Sequence, residues 1–189
     1  MAGVFSASAS TEAEGAMAAQ WKPLVFPSIE KHTEYSIQES GRSSYMRAAS
    51  KASASALYRD LDFNLAEFPV LSWRWKIDGV LPKGDARVRE GDDFAARLYV
   101  TFAYDGAGVN LLERMLLDTG EMLLGRRPPG RAITYIWANR LKKGDFILNP
   151  NTPREIMVAV ESGNEKSGLW IAEERNVYED YRKAFGHEP

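Results

Sequence analysis

The sequence predicts a mainly β chain: a single antiparallel β-sandwich domain over residues 21–189, with two helices packed on it at about 110–124 and 173–185. Three observations carry that expectation. From Trp21 onward, short apolar runs recur between clusters of Gly, Pro, Asn, Asp and Ser, the texture of many short strands joined by turns. Val70–Ile77 alternates, with Leu71, Trp73, Trp75 and Ile77 on one face and Ser72, Arg74 and Lys76 on the other. Phe94–Phe102 alternates again: Phe94, Ala96, Leu98, Val100 and Phe102 against Asp93, Ala95, Arg97, Tyr99 and Thr101.

In chain order, residues 1–20 are rich in Ala, Ser and Glu without a β pattern, and read as a flexible arm or a short helix. Thr33–Ile37 and Ser44–Ala49 form a hairpin with Glu39-Ser40-Gly41 at the turn. Lys51–Asp60 is extended by context, its small residues Ser53 to Ala56 allowing another layer to approach closely. After Val70–Ile77, Asp78-Gly79 breaks the strand, and residues 80–91, with Pro82, Gly84 and Gly91 among charges, form a loop. Gly91-Asp92-Asp93 then opens the second alternating strand. Leu111, Leu112, Met115, Leu116, Met122 and Leu123 recur at helical spacing within 110–124, and Gly125 is a stop signal. Ile133–Asn139 and Glu155–Glu161 are further strands. In 173–185, Val177, Tyr178, Tyr181, Ala184 and Phe185 form one helical stripe, closed by Gly186.

Composition narrows the chemistry. A chain of 189 residues buries a core without covalent staples. Zero Cys excludes disulfides, thiolate catalysis and Cys-ligated zinc, and His32 and His187 alone cannot build a multi-His metal site. A net charge of −2 gives no general affinity for nucleic acid or an acidic membrane. No apolar run is long enough to span a bilayer. Residues 1–5 lack the charged and apolar regions of a signal peptide, so the expectation is a cytosolic protein or a mature exported one. No Walker sequence or dinucleotide fingerprint is present; Gly106-Ala107-Gly108 lacks the context of either.

Four segments in order resemble one family: Leu71-Ser72-Trp73-Arg74-Trp75-Lys76, Gly91 through Val100, Tyr135-Ile136-Trp137-Ala138, and Arg175 through Tyr181. It is catalogued as domain of unknown function 3047, in bacterial proteins that often carry export signals. The likeness runs from about Trp21 to the end. It implies a periplasmic or secreted location and, by analogy of fold with carbohydrate-binding modules, a jelly-roll type of sandwich. It implies no activity. Relatives continue past the region of Phe185-Gly186 into further strands, whereas this chain stops at Pro189. A shortened form lacking the family's last strands, or an open sheet edge that pairs with a second copy, is the resulting expectation.

The candidate site lies on the strand after Gly91. Asp92 and Asp93, as strand neighbours, face opposite ways and cannot be the paired carboxylates of a glycosidase. With Asp92 in the turn, the two are candidate ligands of a hard cation such as calcium, against a plain turn cap and a cross-strand ion pair. Asp93, Arg97 and Tyr99 share a face; if both strands belong to one sheet, Arg74 joins them in a concave polar patch suited to sugar hydroxyls or carboxylates. The bland alternative is a solvated sheet face with weak ion pairs. Of five Trp residues, Trp73 and Trp75 read as core, Trp137, beside Asn139, as the better exposed platform, and Trp21 and Trp170 stay open. Arg175 and Asp180 either support the last helix or close one end of the groove. The first functional expectation is therefore a non-catalytic domain that binds a glycan or small polar ligand. The alternatives are a carbohydrate-active hydrolase or lyase using Asp93 or Glu90 with Tyr99 or Arg97, and a structural or assembly subunit.

Overall fold

A computed structural model of the chain describes residues 2–6, 20–26, 29–41, 43–102 and 130–189. In chain order the strands are β1 (Ala2–Ser6), β2 (Lys22–Leu24), β3 (Glu34–Ser40), β4 (Ser43–Ala49), β5 (Ala56–Tyr58), β6 (Val70–Ile77), β7 (Arg97–Phe102), β8 (Arg131–Ala138), β9 (Phe146–Leu148), β10 (Glu155–Ser162) and β11 (Ile171–Asn176), followed by helix α1 (Val177–Phe185). They form a five-stranded sheet in the order β11-β6-β1-β4-β3, a four-stranded sheet in the order β7-β8-β10-β9, and the small pair β2-β5. The chain is mainly β, as its turn-punctuated sequence requires. The expected helix at 110–124 lies outside the described residues.

The alternation in β6 is realised as read. Trp73, Trp75 and Ile77 are buried while Val70, Ser72 and Arg74 are exposed. The buried face meets Ile133, Tyr135 and Trp137 of β8, Val158 and Val160 of β10, and Val177 and Tyr181 of α1 in one cluster. Aromatic rings cross between the sheets, Trp73 to Tyr135 at 5.2 Å and Trp75 to Trp137 at 5.8 Å. Such contacts add about 0.5–1.5 kcal/mol each beyond the area they bury. On the other side of the four-stranded sheet, Phe94, Ala86, Ile136, Ala138, Met157 and Ala159 make a second cluster. With clusters on both faces, β8 is buried from Ala132 to Ala138 without alternation.

Several expectations are corrected. The ladder is not antiparallel throughout: β10 runs parallel to β8, with an irregularity between Ala159 and Glu161, because the chain leaving β8 first builds β9 and then returns between the two. The second alternating strand begins at Arg97, not Phe94. A 3-10 turn over Arg89–Gly91 precedes it, the Asp93 N–H donates to the Gly91 carbonyl at 2.7 Å, and Phe94 anchors in the second cluster. Within Lys51–Asp60 only Ala56–Tyr58 is a strand, paired with Lys22–Leu24. The last helix starts at Val177, since Glu173–Asn176 ends β11. Asn176 caps it by accepting the Glu179 N–H at 3.0 Å, and Gly186, at φ 77°, closes it in the left-handed region.

The N-terminal segment read as an arm contributes β1, which pairs antiparallel with both β4 and β6. The hairpin of β3 and β4 turns at Gly41, φ 65°. No helix among the described residues is long and apolar enough to cross a membrane.

Candidate functional site

The four-stranded sheet places Arg97 and Tyr99 on its outer face, opposite Ile136 and Thr134 of β8. Their side chains meet: Arg97 Nη1 donates to the Tyr99 hydroxyl at 2.9 Å. The acid that joins them is Asp92. Arg97 donates to Asp92 Oδ1 at 3.0 Å and to its carbonyl at 2.9 Å. Asp92 Oδ2 accepts from Asn151 at 2.9 Å and from Asn149 at 3.3 Å. The Arg97 guanidinium also lies over the Phe94 ring, 5.1 Å from its centre.

The remaining parts come from the turn between β9 and β10. The Asn149 N–H donates to the Glu155 carbonyl at 2.9 Å, and its Oδ1 receives the Asn151 N–H at 2.7 Å, which folds Asn149–Glu155 back toward Asp92. The Thr134 hydroxyl donates to Glu155 Oε1 at 2.6 Å, and both residues are buried. Sequence reading missed Asn149, Asn151, Thr134 and Glu155. The run Asn149-Pro150-Asn151-Thr152-Pro153 marks a turn, but nothing local tells which strand that turn will face.

Charge and burial fix the protonation of this network. Burial works against the Arg97 charge, yet Tyr99, Asp92 and Glu155 outweigh it and hold the guanidinium above its ordinary value. Burial of the hydroxyl end pushes the Tyr99 phenol up against the opposing pull of Arg97. Tyr99 therefore remains a neutral hydroxyl. Its residue is nonetheless 44% exposed, so the solvent sees an aromatic ring whose polar tip is pinned on a partly buried cation.

A salt-bridged loop brings Asp92 to this position. Asp85 accepts from Arg87 Nε and Nη2, each at 2.8 Å, and from Arg140 at 3.3 Å. The Arg87 hydrogen bonds hold its carboxyl well below the usual carboxylate range. The Asp85 N–H donates to the Gly91 carbonyl at 2.7 Å. A Cβ at Gly91 would stand 2.6 Å from the Asp85 carbonyl, so this close approach requires glycine.

The other expected residues disperse. Asp93 is exposed, outside the strand, and no hydrogen bond or ion pair joins it to Arg97 or Tyr99. Glu90 is exposed in the preceding turn. Arg74 belongs to the five-stranded sheet, so the concave patch with Arg97 does not form; its guanidinium lies 5.6 Å from the Trp170 ring. Trp137 is no platform. It is fully buried, and its indole N–H donates to the Gly163 carbonyl at 2.9 Å. Asn139 donates to the Leu81 carbonyl and tethers the loop after β6.

Arg175, partly exposed, and the buried Asp180 form a clasp between β11 and α1. Arg175 donates twice to the Asp180 carboxylate, from Nε at 2.8 Å and from Nη2, and the Tyr135 hydroxyl donates to Asp180 Oδ2 at 2.8 Å. As for a cation at Asp92 and Asp93, the Asp92 oxygens already take an arginine and two amides, and the described residues hold no group of three or more His, Asp or Glu side chains arranged for a metal.

A second carboxylate pair, not expected from sequence, sits at one end of the interface between the sheets. Lys143 bridges Glu173 at 3.3 Å and Glu161 at 3.7 Å, and Lys166 holds Glu161 at 2.6 Å. Burial raises the Glu173 carboxyl, with Glu161 adding to the rise. Glu161 is lowered because Lys166, the Ser162 N–H and Lys143 overcome its own burial. The Trp75 indole is close enough to pull Glu173 down slightly, but no hydrogen bond closes between them, and Glu173 Oε1 is buried without a hydrogen-bond partner among the described residues.

Among known proteins, the family model described as "Protein of unknown function (DUF3047)" matches residues 19–189. No curated protein and no solved structure matches the chain.

Proposed function

The chain belongs to the family of proteins of unknown function DUF3047, and on that premise we propose that it is a non-catalytic binding domain for a glycan or similar polyhydroxylated ligand. The carrying observation is the Tyr99 ring, 44% exposed, with its hydroxyl fixed on Arg97 and Arg97 fixed in turn on Asp92. A pinned aromatic face costs little entropy when a sugar ring stacks on it. Asn151, exposed at the same place, offers an amide of the kind that pairs with hydroxyls. The enzyme alternative loses its motivation where Asp93 and Glu90 stand apart from Arg97 and Tyr99.

The fold supports this reading when the two larger sheets are taken as a sandwich, their facing side chains forming the shared aromatic core. The parallel β8-β10 pair sets it apart from a regular jelly roll. A periplasmic or secreted setting, where free glycans are met, belongs to the same proposal, as does association of two copies through a sheet edge.

The test is a glycan array followed by calorimetry on the wild type and Tyr99→Ala. We expect a saccharide hit that weakens about tenfold or more in the variant while the variant's circular dichroism is unchanged. Blank arrays with folded protein, or equal affinity for the variant, would reject the proposal.

A further inference from the structure

The outer face of the five-stranded sheet carries a second polar constellation, remote from Tyr99. A cavity of about 790 Å³ opens there, lined by Lys31, Arg47, Lys51, Glu34, Ser53 and Asp78 among others. That volume is in the range of small-molecule sites. Among the described residues, Lys31, Arg47 and Lys51 make no ion pair, so three cations converge on one cavity whose wall also carries Glu34 and Asp78.

The walls are pre-organised. Ala52 has φ 49°, a left-handed conformation that strains a non-glycine residue. Hydrogen bonds hold the turn in place: the Ser50 hydroxyl donates to the Ser53 carbonyl at 2.6 Å, and the Lys51 N–H donates to the Ser53 hydroxyl at 3.1 Å. The Ala54 N–H reaches the Lys31 carbonyl at 3.0 Å and joins the two loops that carry the cations.

The cavity continues into a cationic and aromatic track. Arg47 of β4 and Lys76 of β6 are both in register with Val4 of β1, about 9.5 Å apart across the sheet. Lys76 and Arg74 lie 5.5 and 5.6 Å from the Trp170 ring, and Tyr45 meets the same ring edge-on at 5.3 Å. Arginine and lysine spaced along a sheet with an indole between them fit a chain whose units each bring a carboxylate and an apolar sugar face.

We propose that this face binds an anionic glycan, a uronate-bearing oligosaccharide, with a carboxylate among Lys31, Arg47 and Lys51 and a neighbouring ring on the Trp170 side. Glu34 on the cavity wall favours this over single-stranded DNA: it can accept from sugar hydroxyls, which a uronate chain carries on every unit and a deoxyribose–phosphate backbone lacks. The site is separate from the Tyr99 site, and neither reading depends on the other.

The experiment is calorimetric titration of the full chain with trigalacturonate, with cellotriose as the neutral control and an oligothymidylate as the nucleic-acid control. We expect trigalacturonate alone to bind, with affinity falling as salt is raised. The pair Arg47→Gln and Lys51→Gln should weaken it about tenfold or more, Tyr99→Ala should leave it unchanged, and Ala52→Gly should bind at least as well after a gain in thermal stability. No binding by the folded wild type, binding indifferent to salt or to the paired variants, or tighter binding of the oligothymidylate would overturn the proposal.

Discussion

The Tyr135 hydroxyl donates to Asp180 Oδ2 at 2.8 Å, tying the most buried strand of the four-stranded sheet to the C-terminal helix. Arg175 supplies the counter-charge from β11, so one strand from each sheet converges on a helix carboxylate that is 5% exposed. Asp180→Ala leaves Arg175 and Tyr135 without their acceptor. The expected loss is about 2–4 kcal/mol, tempered because Arg175 keeps some solvent access. Tyr135→Phe removes only one donor and should cost about 1 kcal/mol. Urea denaturation of both variants checks the order.

Gly91 couples fold to site in a different way. Its missing Cβ lets the Asp85 loop close over the turn that presents Asp92. Gly91→Ala forces that turn outward and should destabilise the chain by about 1–3 kcal/mol. The binding attributed to Tyr99 should fall with it, since Arg97 loses its anchor. Asp92→Asn keeps the shape but removes the charge, so it should weaken the Arg97–Tyr99 arrangement with a smaller stability loss. Thermal melts together with titrations separate the two effects.

Val70–Ile77 was legible because one face meets the core and the other meets water, which writes the alternation into the sequence. β8 was not legible in the same way. With both faces covered, its periodicity carries no information about exposure, and Trp137 looked available when it is wholly enclosed. The sequence pattern places the start of β7 too early because Phe94 continues the apolar alternation while serving the second cluster. Half of the site was legible: Arg97 and Tyr99 meet, as their spacing of two on one strand allows. Strand parity points to Asp93 as the acid only when it is extended past the true start of β7 at Arg97. Asn149, Asn151, Thr134 and Glu155 depend on the parallel β8-β10 register, a long-range choice with no local signature.

Stability should depend on pH through carboxylates shifted in opposite directions. Glu161 and Asp85 are lowered in the folded chain by Lys166 and by Arg87. Each contributes stability that is present above the ordinary carboxylate range, about pH 4, and is lost as the pH falls through the folded value. Glu173 is raised by burial, so the folded state favours its protonated form. Its contribution is present below the ordinary range and is lost as the pH rises through its folded value. Glu173→Gln mimics the protonated group and should therefore gain relative to the wild type between about pH 4 and pH 7. Glu161→Gln should lose relative to the wild type over the same interval. Denaturation midpoints measured across that interval check both signs, and parallel curves for the two variants would show that the carboxylates are not shifted apart.

The salt links of the Asp85 loop are more exposed on the arginine side, so their individual worth is small. Arg140 reaches Asp85 at 3.3 Å with a side chain 56% exposed, and Arg140→Ala should cost about 0.5 kcal/mol or less. Arg87 is also exposed, but it donates two parallel hydrogen bonds and its own N–H to the same carboxylate. Lys cannot reproduce that fork. Arg87→Lys should therefore release the loop more than Arg140→Ala does, although it keeps the charge. Amide hydrogen exchange reads this directly: the Asp85 N–H, bonded to the Gly91 carbonyl at 2.7 Å, should exchange faster in Arg87→Lys and stay protected in Arg140→Ala. Equal protection in both variants would mean that charge alone, and not the bidentate geometry, holds Asp92 in place beneath Tyr99.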